Sequence, residues 1–78
     1  MKLSDAIKQR IINLAKSNNI TLHKLSLNAG LAYSTLSSFL NGKSTSPKLV
    51  TILHICEGLN IELKDFFDDE LFENVEED

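Results

Sequence analysis

With a single cysteine, Cys56, the chain can close no intramolecular disulfide and assemble no cysteine-rich zinc framework. That usage fits a reducing cytoplasm. Glycine is equally sparse: Gly30, Gly42 and Gly58 stand singly, so there is no glycine-rich phosphate loop. Apolar runs are only a few residues long, and no charged-then-apolar segment leads to a small-residue cleavage site. The expectation is a chain that neither crosses a membrane nor is secreted. Histidine is limited to His23 and His54, in different segments, with no serine-base-acid pattern around them. Two histidines and one cysteine do not make a spaced metal set. His54 reads as a side chain satisfied at the edge of its helix, and Cys56 as a small buried apolar residue. Neither catalysis nor a cofactor is expected.

What is present suffices for one small core. A chain of 78 residues with 42% apolar content is a single domain near the lower size limit for folding without staples. Its formal charge of -3 hides a segregation along the chain. Residues 1–61 carry seven basic side chains against Asp5 and Glu57, whereas residues 62–78 set Lys64 against nine carboxylates. A basic body with an acidic tail points to nucleic acid or a regulated partner, or else to a solvated tail that aids solubility.

Periodicity marks five helices and no strand. The first runs from Ser4, as N-cap, to about Ser17, with Ile7, Ile11, Leu14 and Ala15 on one stripe. "SNN" breaks it. Thr21 caps a second, short helix in which Leu22, Leu25 and Ala29 share a face, and Gly30 ends it in the left-handed conformation. The third begins near Ala32 and stops at Asn41 and Gly42. Ser46 and Pro47 are expected as N-cap and first residue of a fourth helix, with Leu49, Ile52, Leu53 and Cys56 on its core stripe and an end around Leu59 and Asn60. "ELKDFFDD" makes a last short helix offering Leu63, Phe66 and Phe67 to the core. The expected class is an all-α bundle with short loops.

The segment "TLHKLSLNAGLAYSTLSSFLNGK" has the form of a helix-turn-helix, two short helices joined by a glycine-containing turn. Ala29 is small where the helices would cross, and Leu31 and Leu36 anchor the second from below. This second helix is unusual in its hydroxyls: Ser34, Thr35, Ser37 and Ser38 fill the turns between Leu36, Phe39 and Leu40, although serine and threonine are mediocre helix formers.

From Ile20 to Phe67 the chain resembles the Cro/C1-type helix-turn-helix family, the xenobiotic-response-element family of phage and bacterial repressors. The likeness is carried by "ITLHKL", "AGLAYSTL", "NGKS", "SPKLVTILHICEGLNI" and "ELKDFF", in that order. With the first helix included it spans some four fifths of the chain. The resemblance implies a five-helix, lambda-repressor-like DNA-binding domain over residues 1–67, with the helix-turn-helix at helices two and three. It also implies that the start of the third helix faces base edges in the major groove, which here means Ala32, Tyr33, Ser34, Thr35 and, one turn on, Ser37 or Ser38. Hydroxyls that donate or accept to base or phosphate then explain the composition. Tyr33 packs on a thymine methyl, reaches a phosphate with its hydroxyl, or covers the core edge.

Phosphate clamps are expected at Thr21 with the free amides beginning helix two, at Leu22 through its amide, and at Lys24, Asn41, Lys43 and Ser44. Lys48 is a further cation nearby, though any single lysine can equally be a solvated side chain. Departures from the family pattern qualify the readout. No Gln, Arg or Asn occurs from Ala32 to Leu40, so shape, water and dimer spacing should carry more of the specificity. Relatives often pair an arginine late in helix one with an acid ending the recognition helix, where this chain has Ala15 and Leu40. Leu22 likewise stands where relatives often have a glutamine touching phosphate.

Residues 68–78 form an acidic tail in which Leu71, Phe72 and Val75 follow Phe66 and Phe67 at roughly helical spacing. It is expected to extend helix five as an amphipathic segment and form a homodimer. Competition with DNA for the basic surface, docking on a basic protein partner, and fraying after Asp69 are the alternatives. The reading that results is a cytoplasmic, sequence-specific, repressor-like DNA-binding regulator acting as a homodimer on double-stranded DNA, without cofactor. The alternative is an interaction module of the same fold that has lost DNA binding and uses the acidic tail as partner or autoinhibitory segment.

Overall fold

The computed structural model describes residues 1–42 and 47–78, so the expected clamps Lys43 and Ser44 and the expected cap Ser46 lie outside the described residues. The chain forms α1 (Leu3–Ser17), α2 (Leu22–Ala29), α3 (Tyr33–Leu40), α4 (Leu49–Leu59) and α5 (Leu63–Phe67), then one 3-10 turn over Glu70–Phe72. Among the described residues no strand forms.

Three helices end by one device. Asn19, Gly30 and Asn60 take φ of 60°, 70° and 60°, the left-handed region that asparagine and glycine enter most readily. The next residue in each case, Ile20, Leu31 or Ile61, donates its amide to a carbonyl five residues back, that of Ala15, Ser26 or Cys56. These three apolar residues then pack against the core. Each turn therefore caps a helix and pins the following chain together.

The core stripe of α1 is as its spacing predicts, with Ile7, Ile11, Leu14 and Ala15 buried. On α4 the buried set is Ile52, Ile55, Cys56 and Leu59, whereas Leu49 and Leu53, expected on the core stripe, are exposed. The helix is turned by part of a revolution from that expectation because its most extensive contact is with α2. Pro47 does not open α4 either. Lys48 is the N-cap and Leu49 the first helical residue, so Pro47 precedes the cap. Burial, reinforced by the nearby Asp65 carboxylate, pushes the Cys56 thiol up, which keeps it in its unreactive form.

Ser4 is not the N-cap of α1. Lys2 occupies that place, and Ser4 is buried one residue into the helix. The cap comes from the far end of the chain. The Leu3 amide donates to the Glu76 carbonyl at 2.9 Å and the Ser4 amide to the Asp78 carboxylate at 3.0 Å, while the Ser4 hydroxyl also donates to Asp78. Two of the orphan amides at the start of α1 are thereby satisfied, by a carboxylate that also suits the positive end of the helix. The Ser4 hydroxyl and amide together hold the Asp78 carboxyl below the usual carboxylate range.

The tail therefore does not extend α5, and it does not fray after Asp69. Beyond Asp68 the chain makes its 3-10 turn and runs back along the start of α1, with a single parallel bridge between Lys2 and Glu76. Arg10 holds this path. Its guanidinium donates to the carbonyls of Phe66 at 2.7 Å and Asp65 at 2.8 Å, and pairs with the Asp69 carboxylate at 2.9 Å. One side chain thus satisfies the last carbonyls of α5 and fixes the tail. Phe72 packs beside Phe66 and Phe67, so the aromatic surface expected to meet a second subunit is used within the chain.

Ala29 is buried, and its backbone is where α2 meets α4. A Cβ on Gly58 would lie 2.8 Å from the Ala29 nitrogen and 3.0 Å from the Asn28 carbonyl carbon, both rigid backbone. Gly58→Ala should therefore destabilise the domain by roughly 1–3 kcal/mol, the usual cost of overpacking, as measured by urea unfolding. An unchanged midpoint would mean that α2 and α4 are free to separate.

Candidate nucleic-acid interface

The starts of α2 and α3 are brought side by side, although eleven positions separate Leu22 from Tyr33. At α2 the Thr21 side chain accepts from the Lys24 amide at 3.1 Å, which fixes the cap and leaves the Leu22 and His23 amides pointing out of the helix end. At α3 the N-cap is Ala32, which has no side chain to fold back. The Thr35 and Leu36 amides are taken by the Ala32 carbonyl, and those of Tyr33 and Ser34 remain at the open helix end. Both ends carry the positive pole of a helix dipole, and neither has an acid in its first turn.

Leu36 and Phe39 are buried and Leu40 is half-buried, which anchors α3 by one face. Ala32, Tyr33, Ser34, Thr35 and Ser38 are exposed. Ser37 is half-buried and accepts from the Asn41 side-chain amide at 3.1 Å, so this hydroxyl and Asn41 serve first to close the end of α3. Thr35 leans toward α4, lining a small apolar crevice with Leu31, Leu36, Phe39, Pro47, Thr51 and Ile55. Of the expected phosphate residues, Thr21 and Lys24 are exposed beside the start of α2, while Leu22 is half-buried against the core.

The opposite end of α3 receives a cation. Lys8 Nζ lies 5.7 Å from the Phe39 ring centroid, and a Cβ on Gly42 would sit 3.7 Å from it. An ammonium there complements the carbonyl end of the helix. Ala15 is buried and Leu40 half-buried, so no charge is spent at the two places where relatives pair an arginine with an acid.

The residue that sequence reasoning missed is His23. Its imidazole lies flat on the Tyr33 ring, with centroids 3.6 Å apart and planes inclined by 7°. A histidine and a tyrosine ten positions apart give no periodic signal, because the turn at Gly30 decides whether they meet.

Residues 10–71 match the family model of the Cro/C1-type HTH DNA-binding domain. The chain belongs to that family. Among solved structures it is similar to the prophage Lp1 protein 11, with 30% identity, a TM-score of 0.83, and coverage of 96% of this chain and 100% of that one. It is also similar to an HTH_3 family transcriptional regulator from Vibrio cholerae, with 25% identity, a TM-score of 0.76, and coverage of 87% of this chain and 38% of that one. No curated protein matches. As in the fold expected for a Cro/C1-type domain, the unit Leu22–Leu40 forms two helices about a glycine turn, and no helix among the described residues is long and apolar enough to cross a membrane.

Proposed function

We propose that this Cro/C1-type domain is a sequence-specific, repressor-like regulator that docks α3 in the DNA major groove, as a homodimer, in the cytoplasm and without catalysis or cofactor. The observation that carries the reading is the pairing of two open helix starts with an exposed hydroxyl face. The amides of Leu22, His23, Tyr33 and Ser34 supply anion sites, and Ser34 and Ser38 supply small groups that let the helix approach base edges closely. Thr21 and Lys24, with Lys43 and Ser44, which follow α3 in the sequence, are the phosphate contacts of this reading. A regulator of this kind represses by occupying the site that transcription needs.

A homodimer would present equivalent helices to successive half-sites, which lie about 34 Å apart on DNA; each copy extends 31 × 25 × 21 Å. The tail is spent on α1, and the surface that supports pairing is the strip Leu49, Val50 and Leu53 on α4. Glu57 shares that face, and the start of α4 has no acidic residue, so an antiparallel second copy sets Glu57 against the positive end of its partner's α4.

A second reading, an interaction module that has lost DNA binding, is favoured by one feature: an open groove lined by Phe67, Phe72, Asp68, Glu70 and Glu73, whose acidic rim suits a basic segment. Autoinhibition by the tail is not favoured, since Asp69, Glu76 and Asp78 are engaged by Arg10, Lys2 and Ser4.

Ser34→Glu tests the proposed DNA face of α3. A carboxylate in the first turn suits the helix, so helicity is kept, but it meets phosphate or base edges and should abolish duplex binding in an anisotropy titration. Unchanged affinity would move the DNA surface elsewhere. For the dimer, Leu53→Glu should convert the dimer to a monomer in sedimentation equilibrium, and a variant of unchanged mass would exclude the α4 strip.

A further inference from the structure

Neither ring of the His23 and Tyr33 stack is buried, so the stack does not fill the core. Tyr33 is the first helical residue of α3 and 39% exposed; unsupported, its ring would sample several rotamers over open solvent. His23 removes that freedom. Its own backbone is fixed, because its carbonyl accepts from the buried Ser26 hydroxyl at 2.7 Å within α2. A ring carried on the fixed backbone of α2 thus lies flat against the tyrosine at the tip of α3.

We propose that His23 is a positioning residue for base recognition: it holds Tyr33 so that the ring edge meets the 5-methyl group of a thymine, one A·T pair per half-site. This rests on the DNA-binding reading above. From Tyr33 to Leu40 there is no arginine, glutamine or asparagine to make bidentate contacts with a base edge. Apolar contact with a thymine methyl is the direct readout left to an aromatic ring, and it discriminates only if the ring cannot swing away. The stack supplies that restraint at no cost in buried charge, and Tyr33 alone would not.

The test is a selection from duplexes randomised over about 20 base pairs, using the full chain as wild type, Tyr33→Ala, His23→Ala and His23→Phe. Tyr33→Ala identifies the position read by the ring. There the wild type should prefer thymine about tenfold, within the usual cost of one mismatched pair. Deoxyuridine at that position should remove most of the preference. His23→Ala should lose the preference at that position alone and leave other positions and the salt dependence intact. His23→Phe, which keeps a flat ring beneath Tyr33, should retain it. The positioning role is overturned if His23→Ala keeps the preference, or if it weakens every position equally, as a structural role would. A wild-type chain that selects no sequence removes the DNA-binding reading, and this role with it.

Discussion

The close approach of α2 to α4 at Ala29 and Gly58 is the constraint on which the interface depends. Backbone meets backbone there, which only a residue without a Cβ allows at Gly58. Once α2 lies in that groove, Leu25, Ile55, Cys56 and Leu59 are buried around the contact, and α3 takes its direction from α2 through the Gly30 turn and the Leu31 pin. The exposed face of α3 is therefore set by a packing contact on the other side of α2. Small errors at Gly58 would be transmitted to both helix starts that the proposed DNA contact uses.

Charge is divided by the same fold. The tail's carboxylates serve the body: Asp69 binds Arg10, Glu76 pairs with Lys2, and Asp78 closes the amide end of α1. This leaves the start of the helix-turn-helix without an acidic neighbour in its first turns and with Lys24 exposed beside it. A formal charge of -3 is thus compatible with a polyanionic partner, because nine of the eleven acidic side chains lie in residues 62–78, after the helix-turn-helix.

Helix order, the turn at Gly30 and the stripe of α1 were legible because each depends on residues within a few positions of one another. What failed was long-range. Ser4 has the right chemistry for a cap, yet its partner is Asp78, 74 positions away, and nothing local announces that the tail returns. The apolar spacing of Leu71, Phe72 and Val75 suits a helix as well as it suits a strap over the aromatic cluster of Phe66 and Phe67, and the Arg10 contacts decide for the strap. On α4, Leu49 and Leu53 share a stripe with Cys56 as plausibly as Ile55 and Leu59 do, since both stripes are aliphatic. Packing on α2 chooses between them. The hydroxyls of α3 were visible as an anomaly of composition, whereas the His23 support for Tyr33 required the turn geometry.

The most direct measurement is an anisotropy titration of the protein against labelled duplexes from the region upstream of its own coding sequence and a scrambled control, at several salt concentrations. The account predicts tighter binding to the upstream duplex, with affinity falling linearly in log salt as phosphate counterions are released. A folded protein that binds neither duplex at low salt would contradict it.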